Sequence, residues 1–152
     1  MEIAAIETLL DVSNSQDLTF ENIIIEMSGG TAIAVRDASN INFQNVIVQL
    51  TGSDGIVYSN VWNSTLSKIT VRDVGGRAVW LAGGDRISLI ASGLVLEDSL
   101  LRDFSQINRT FAPAIQVDGV AIVIRRNVVF NGPQFAVMYS GNDHLFEENI
   151  FA

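Results

Sequence analysis

Leu18-Thr19-Phe20-Glu21-Asn22-Ile23-Ile24-Ile25 and Ile41-Asn42-Phe43-Gln44-Asn45-Val46-Ile47-Val48 match position for position, 23 residues apart (45 − 22 = 23). Leu66-Ser67-Lys68-Ile69-Thr70-Val71 follows at the same spacing, with Lys68 at the Asn position. Further along, Arg126-Asn127-Val128-Val129-Phe130 and Glu148-Asn149-Ile150-Phe151 repeat at 22 residues (149 − 127 = 22). Each unit has a second β run behind a turn: Thr31–Val35, Gly55–Tyr58, Ala78–Leu81, Ala114–Val117 and Phe135–Tyr139. The runs are rich in Ile and Val, whose branched side chains suit a pleated sheet better than a helix. A unit this short cannot bury its own apolar face, so the units must stack. The Leu-x-x-Leu-x-Leu signature of a leucine-rich repeat is missing, and helical spacing is absent after residue 10. The sequence therefore predicts an all-β fold: a single-stranded, right-handed parallel β-helix of about six coils in one domain, 1–152. Equivalent residues of successive coils would lie about 4.8 Å apart. Asn22 and Asn45 are candidates for one amide ladder, Asn127 and Asn149 for another.

Between Leu81 and Val120 the period lengthens. Gly83 to Gly93 and Asp103 to Pro113 read as loops that leave the coils, and loops on a rigid scaffold are where function concentrates. Residues 1–10, with Ile3, Ile6, Leu9 and Leu10, suit a strand or a short helical cap. The last residues, Ile150-Phe151-Ala152, fall inside a repeat, so the chain is expected to be a piece of a longer protein that continues C-terminally. Uncapped coil ends expose strand edges and apolar side chains. Self-association through them is an expectation.

Composition fits buried strands: 48% of residues are hydrophobic and 17% charged, against roughly 25% charged in an average domain. The net charge of −8 opposes binding to nucleic acid or to anionic lipid. No apolar run is long enough to cross a membrane as a helix. With no cysteine, disulfides and thiolate metal sites are excluded. A calcium site would need converging carboxylates or carbonyls, and no tight acidic cluster supports one, so no metal ligands are assigned.

The candidate site residues sit at turns. Glycoside hydrolysis requires two carboxylates about 5 to 9 Å apart. Asp118 and Asp143 are 25 residues apart (143 − 118 = 25), close to one coil, and could stack as such a pair or simply occupy turns. Asp85 and Arg86, in Gly83-Gly84-Asp85-Arg86, and Arg109, in Asn108-Arg109-Thr110, are candidate substrate contacts, because a guanidinium pairs with carboxylates through its planar fork. They read equally as ion pairs that fasten loops. His144, the single histidine, is a candidate for a sugar hydroxyl or a hydrogen-bonded turn residue. Trp62, between Asn60 and Asn63, reads as an exposed ring for sugar stacking, whereas Trp80 in its apolar run reads as core.

Val74-Gly75-Gly76, Gly83-Gly84-Asp85-Arg86, Phe104 to Ala114, Asp118-Gly119-Val120 and Ser140-Gly141-Asn142-Asp143-His144 together carry a resemblance. The chain resembles right-handed β-helix repeat proteins of the pectate-lyase-like superfold. More narrowly, it looks like the large β-helix proteins related to glycoside hydrolases acting on fucose- or xylose-containing glycans. The resemblance implies a polysaccharide or oligosaccharide partner and a secreted or periplasmic parent. It implies that this segment supplies scaffold and substrate groove, with the parent's catalytic acids lying after the Gly-Asn-Asp-His turn. A non-catalytic glycan-binding or structural solenoid, and a polysaccharide lyase with an Arg base, are the alternatives. Two positions depart from the family pattern: Gln134 stands where a His is usual, and Phe111 where a Tyr is usual. Each departure removes a polar group from the expected binding surface.

Overall fold

A computed structural model describes residues 6–152. The cap expected over residues 1–10 thus lies half outside the described residues, and its last member, Leu10, opens a strand. Among the described residues seventeen strands follow one another, and every strand pairing is parallel. They form three stacks. The first contains β1 (Leu10–Ser13), the first half of β4 (Ile33–Gln44), β6 (Ile56–Trp62), β9 (Val79–Gly83), β12 (Ile115–Val120) and β15 (Val137–Asn142). The second contains β2 (Gln16–Glu21), the second half of β4, β7 (Thr65–Ser67), β10 (Val95–Glu97), β13 (Val123–Arg125) and β16 (Leu145–Glu147). The third contains β3 (Ile24–Glu26), β5 (Ile47–Thr51), β8 (Thr70–Val74), β11 (Leu100–Arg102), β14 (Val128–Phe130) and β17 (Ile150–Phe151). One strand from each stack makes a coil, and there are six coils. Parallel strands joined by crossovers wind right-handed, giving the expected right-handed parallel β-helix.

Alternation within each strand sends one set of side chains inward. In the first stack, Leu10, Ile33, Ile56, Val79, Ile115 and Val137 form one inward ladder. Phe20, Phe43, Leu66, Leu96, Ile124 and Phe146 form another in the second stack. Phe20 and Phe43 stack with ring centroids 4.8 Å apart. Tyr58 is fully buried beside them, and burial pushes its phenol well above the ordinary value. Its hydroxyl donates to the Ile41 carbonyl at 3.0 Å, which meets the requirement that a buried polar group find a partner.

The bends follow a rule that the repeat only hinted at. Nearly every residue at positive φ falls into one of four columns that run along the helix axis. The first bend has Asn14, Asp37 and Asn60, then Gly119 and Gly141, with Gly83 holding the register position between Asn60 and Gly119 without a positive φ. The second has Asp17, Asn40, Asn63, Gly93, Ala121 and Asp143. The third has Asn22, Asn45, Lys68, Asp98, Arg126 and Glu148, and the fourth Met27, Leu50, Asp73, Asp103 and Asn131. Asn and Asp tolerate the left-handed region best among residues with a Cβ. Their side chains also link coils: Asn45 Nδ2 donates to Asn22 Oδ1, Asn40 to Asp17 and Asn60 to Asp37, each at 2.7 Å. The expected Asn22–Asn45 ladder is therefore one of several.

A left-handed residue turns the next N–H inward, where the backbone ladder cannot reach it. A side chain one coil on accepts it instead. Ser64 Oγ takes Ile41 N–H at 2.8 Å, and Ser99 Oγ takes Ile69 N–H at 3.0 Å. Asn127 Oδ1 takes Ser99 N–H, and Asn149 Oδ1 takes Asn127 N–H, both at 3.0 Å. The expected Asn127–Asn149 ladder is present as well, at 3.0 Å between side chains.

Candidate functional site

The four positive-φ residues outside the columns, Gly84, Leu89, Ser105 and Phe111, all lie in the fourth coil. This coil takes 36 residues from Val79 to Ile115 (115 − 79 = 36), and both expected loops depart from it. The first leaves after β9 and folds back through an antiparallel bridge between Asp85 and Ile90. The second leaves after β11 and is tied to the coil beneath by Ser105 N–H on the Gly76 carbonyl (2.8 Å) and Gln106 N–H on the Val74 carbonyl (3.0 Å).

The first loop stands beside the outward side of the first stack. One outward column there reads Asp11, Ala34, Val57, Trp80, Gln116, Met138, and the next Ser13, Arg36, Ser59, Ala82, Asp118, Ser140. A hydrogen-bonded network runs across both. Arg77 grips Asp54 through Nε (3.1 Å) and Nη2 (2.7 Å) and donates from Nη1 to Gln116 Oε1 (2.8 Å). Its guanidinium lies 4.2 Å from the centre of the Trp80 ring, a cation–π contact. Asp118 accepts from Trp80 Nε1 (2.7 Å), Gln116 Nε2 (2.9 Å) and Ser140 Oγ (2.7 Å). Three donors fix that carboxylate and leave lone pairs for one more.

Beside Asp118 the first bend has lost its side chains, because Gly83 and Gly119 replace the Asn and Asp of earlier coils. Gly119 sits at φ 138 with its α-carbon against the Gly83 carbonyl, where no Cβ fits. The result is a cleft of about 270 Å³ lined by Asn60, Ala82, Arg86 and Asp118 over a glycine floor. Arg86 has no hydrogen-bond or ion-pair partner among the described residues. A second, wider groove of about 550 Å³ continues along the same bend, with Trp62, Asn60, Asp37 and Asn14 in its walls. Asn60 lines both, so the two grooves adjoin there and are together called the furrow. Trp62 Nε1 donates to Asn60 Oδ1 at 3.2 Å.

The sequence candidates divide accordingly. Asp118, Arg86 and Trp62 come to the furrow. Asp85 serves its own loop: its carboxylate accepts the Ser88 hydroxyl and the Ile87 N–H (2.9 Å). Arg109 is exposed on the second loop, which is anchored at the other edge of the first stack. Asp143 does not stack on Asp118. The coil above places Ser140 opposite Asp118, and Asp143 sits three residues on, in the second bend column above Ala121. The 25-residue separation exceeds the true 22-residue step between these coils, and that difference moves Asp143 round a corner. His144 takes the bend role: Nδ1 accepts Ile122 N–H at 3.2 Å, and Nε2 lies 3.0 Å from the Ser140 carbonyl, which fixes the Nε2–H tautomer.

Trp80 corrects the sequence reading most directly. It points outward between the inward Val79 and Leu81. Strict alternation against Ile56-Val57-Tyr58 was the available signal, and the apolar run around Trp80 masked it. Arg77 and Gln116 had no signal, since their roles exist only once coils three to five are stacked. The two departures from the family pattern meet each other: Phe111 N–H donates to Gln134 Oε1 at 2.9 Å, with the Phe111 and Phe135 rings 6.2 Å apart.

The Ser88 hydroxyl and the Ile87 amide hold the Asp85 carboxyl below its ordinary value. The loop bonds are thus intact above the ordinary carboxylate range and are lost as pH falls through the depressed value. Hydrogen-exchange protection at Ile87 and Ser88 is expected to fall below about pH 4 while core amides keep theirs. Equal protection in an Asp85→Ala variant would mean that another contact holds the loop.

A sequence-family model described as "Right handed beta helix region" matches residues 6–152. No match was found among curated proteins or among solved structures. Stacked parallel coils, inward aliphatic ladders and a match over all the described residues agree: the chain belongs to the right-handed β-helix family.

Proposed function

We propose that this β-helix binds a glycan along the furrow of its first bend and supplies the groove of a carbohydrate-active protein. The observation that carries this reading is the Arg77–Trp80–Gln116–Asp118–Ser140 network beside the free Arg86 guanidinium. Sugar recognition uses flat aromatic surface together with fixed planar acceptors and donors for hydroxyl groups. Trp62 in the furrow wall offers the first, Asp118 (held by Trp80) and Asn60 the second, and Arg86 adds a fork for further oxygens. The elongated furrow, with Trp62 further along it, suits a chain of sugars better than one.

Binding is favoured over hydrolysis by this segment. A hydrolase needs a second carboxylate about 5 to 9 Å from the first. The neighbours of Asp118 in its own column are Ala82 and Ser140, and the other carboxylate of the network, Asp54, is held by Arg77 and lines neither groove. The narrower resemblance, to proteins acting on fucose- or xylose-containing glycans, belongs to this proposal and sets the first ligands to try.

The test is a panel of fucose-, xylose- and uronic-acid-containing oligosaccharides, followed by tryptophan fluorescence. Saturable binding is expected for at least one, with Trp80→Ala and Asp118→Ala each weakening it about tenfold or more. No reducing sugar and no unsaturated product should appear. If no oligosaccharide binds, or if both variants bind like the parent chain, the reading falls. Turnover would instead revive the catalytic alternatives.

A further inference from the structure

The first loop has a shape and a composition that do not match. Between β9 and β10, Asp85 and Ile90 exchange both backbone hydrogen bonds, each at 3.0 Å. The Asp85 carboxylate adds the Ile87 N–H and the Ser88 hydroxyl, so the residues between the two bridge partners form a closed turn. Turns favour Gly, Asn, Asp and Ser, which tolerate left-handed backbone or bond to it. This one carries Ile87, 98% exposed, with Leu89 at 55% and Ile90 at 53%. Leu89 also holds φ 55, in the left-handed region. The tip therefore leaves aliphatic surface in water and strains its backbone at a bulky residue. Local rules broken together mark a place where function overrides stability.

The loop is also loosely joined to the coils. Among the described residues, the hydrogen bonds of Asp85 to Ala91 stay within the loop. The body takes hold again at Ser92, whose N–H donates to the Val120 carbonyl at 2.9 Å and whose carbonyl accepts Asn63 N–H at 2.8 Å. On the other side the last paired residue is Gly83, opposite Gly119. Gly84 at φ 89 and Gly93 at φ 70 flank the loop, and glycine accommodates the backbone changes that a hinge makes. Few bonds to the scaffold and a solvent-exposed turn describe a segment of low local stability.

Arg86 shows where the tip can go. It immediately precedes Ile87 and lines the cleft with Asn60, Ala82 and Asp118. A loop with one residue in the wall of a cleft carries its next residues at the rim. A sugar ring offers such a rim two kinds of surface, hydroxyl oxygens and a C–H face. We propose that residues 84–91 are a lid over the cleft. With a sugar in place the loop folds down on its glycine ends, Arg86 meets oxygens, and Ile87, Leu89 and Ile90 cover the C–H face. The lid presupposes the glycan site proposed above and adds a step that follows binding. Closure withdraws the aliphatic tip from water, and the sugar then leaves only after reopening, so the effect falls on release.

The chain has no cysteine, so Ala91→Cys, beside the tip, accepts a single environment-sensitive dye. In the free chain the dye should report water. The Arg86 and Leu89 amides, which make no hydrogen bond among the described residues, should exchange without protection. A saturating fucose-, xylose- or uronic-acid-containing oligosaccharide should shift the emission to the blue and slow that exchange about tenfold. Ile87→Ser/Leu89→Ser/Ile90→Ser should raise the dissociation rate about tenfold and leave the association rate within about twofold. All three positions are exposed, and melting curves check that the fold survives. An oligosaccharide whose binding depends on Asp118, but which leaves dye, exchange and release rate unchanged, overturns the lid while the glycan site stands. If no oligosaccharide binds, the glycan site itself falls and the lid with it. A blue shift without sugar that grows with protein concentration means that a second copy covers the tip, and this too overturns the proposal.

Discussion

Gly119→Ala is expected to destabilise the protein by about 3 kcal/mol, as backbone strain and overpacking act together. In a domain of this size that lowers the melting temperature by roughly 10 °C. The residue sits at φ 138, a conformation side chains rarely adopt, and a Cβ there would collide with the Gly83 carbonyl oxygen. That carbonyl belongs to the coil beneath, so relief requires coils four and five to separate locally. Separation would cost ladder hydrogen bonds between β9 and β12 and would open the aliphatic column of Val79 and Ile115. Thermal denaturation followed by circular dichroism reads the effect. A midpoint within about 2 °C of the parent, which corresponds to less than 1 kcal/mol, would show that the glycine column relaxes freely.

Asn127→Ala is the second large effect, at about 3 kcal/mol from unsatisfied buried groups and lost packing. The Asn127 side chain is fully buried. It donates to the Leu96 carbonyl and to Asn149 Oδ1, and it accepts Ser99 N–H, each at 3.0 Å. Truncation leaves Ser99 N–H without its partner and removes the side-chain donor from the Leu96 carbonyl. Asn45→Ala removes a similar amide bond, to Asn22, but at an exposed bend, and should cost under about 1 kcal/mol. Urea titrations of the two variants side by side make the comparison. Equal losses would mean that burial of the amide is not what matters. Hydrogen exchange adds a local reading: the Ser99 amide should lose protection in Asn127→Ala before its neighbours do.

The fold was legible because its determinants are local and recur. The 23-residue match between Asn22 and Asn45 sets register, and alternation within each short strand sets which side is buried. The two fourth-coil loops were legible as a break in that rhythm. Much of the site was not, for a physical reason. Its residues come from columns, and a column joins positions whose separation includes the loops. Trp80 and Asp118 are 38 residues apart, and Arg77 and Gln116 are 39. A reader with one period in hand looks 23 residues on and finds nothing. The pairing of Asp118 with Asp143 failed in the same way, because the local step there is 22 residues and a nearby number was mistaken for it. His144 was legible as a turn residue. What decides its role, the Ile122 amide left over at a bend, is visible only when each backbone N–H is traced to its acceptor.

The left-handed columns have a consequence for how such a chain tolerates change in length. The first loop leaves at Gly83 and returns at Gly93, which belong to the first and second bend columns. The second leaves at Asp103, in the fourth column, and returns before Ile115. Each departs from one fixed corner and rejoins at the next, so the coils above and below keep their step although one coil is much longer. Corners act as anchor points, and the span between two of them is a replaceable cassette. A gene for such a protein can gain or lose codons between corners without shifting the frame of the solenoid, whereas a single codon added within a strand would turn its inward residues out. New surface chemistry can therefore be acquired one corner-to-corner segment at a time, on a core that never has to be solved again.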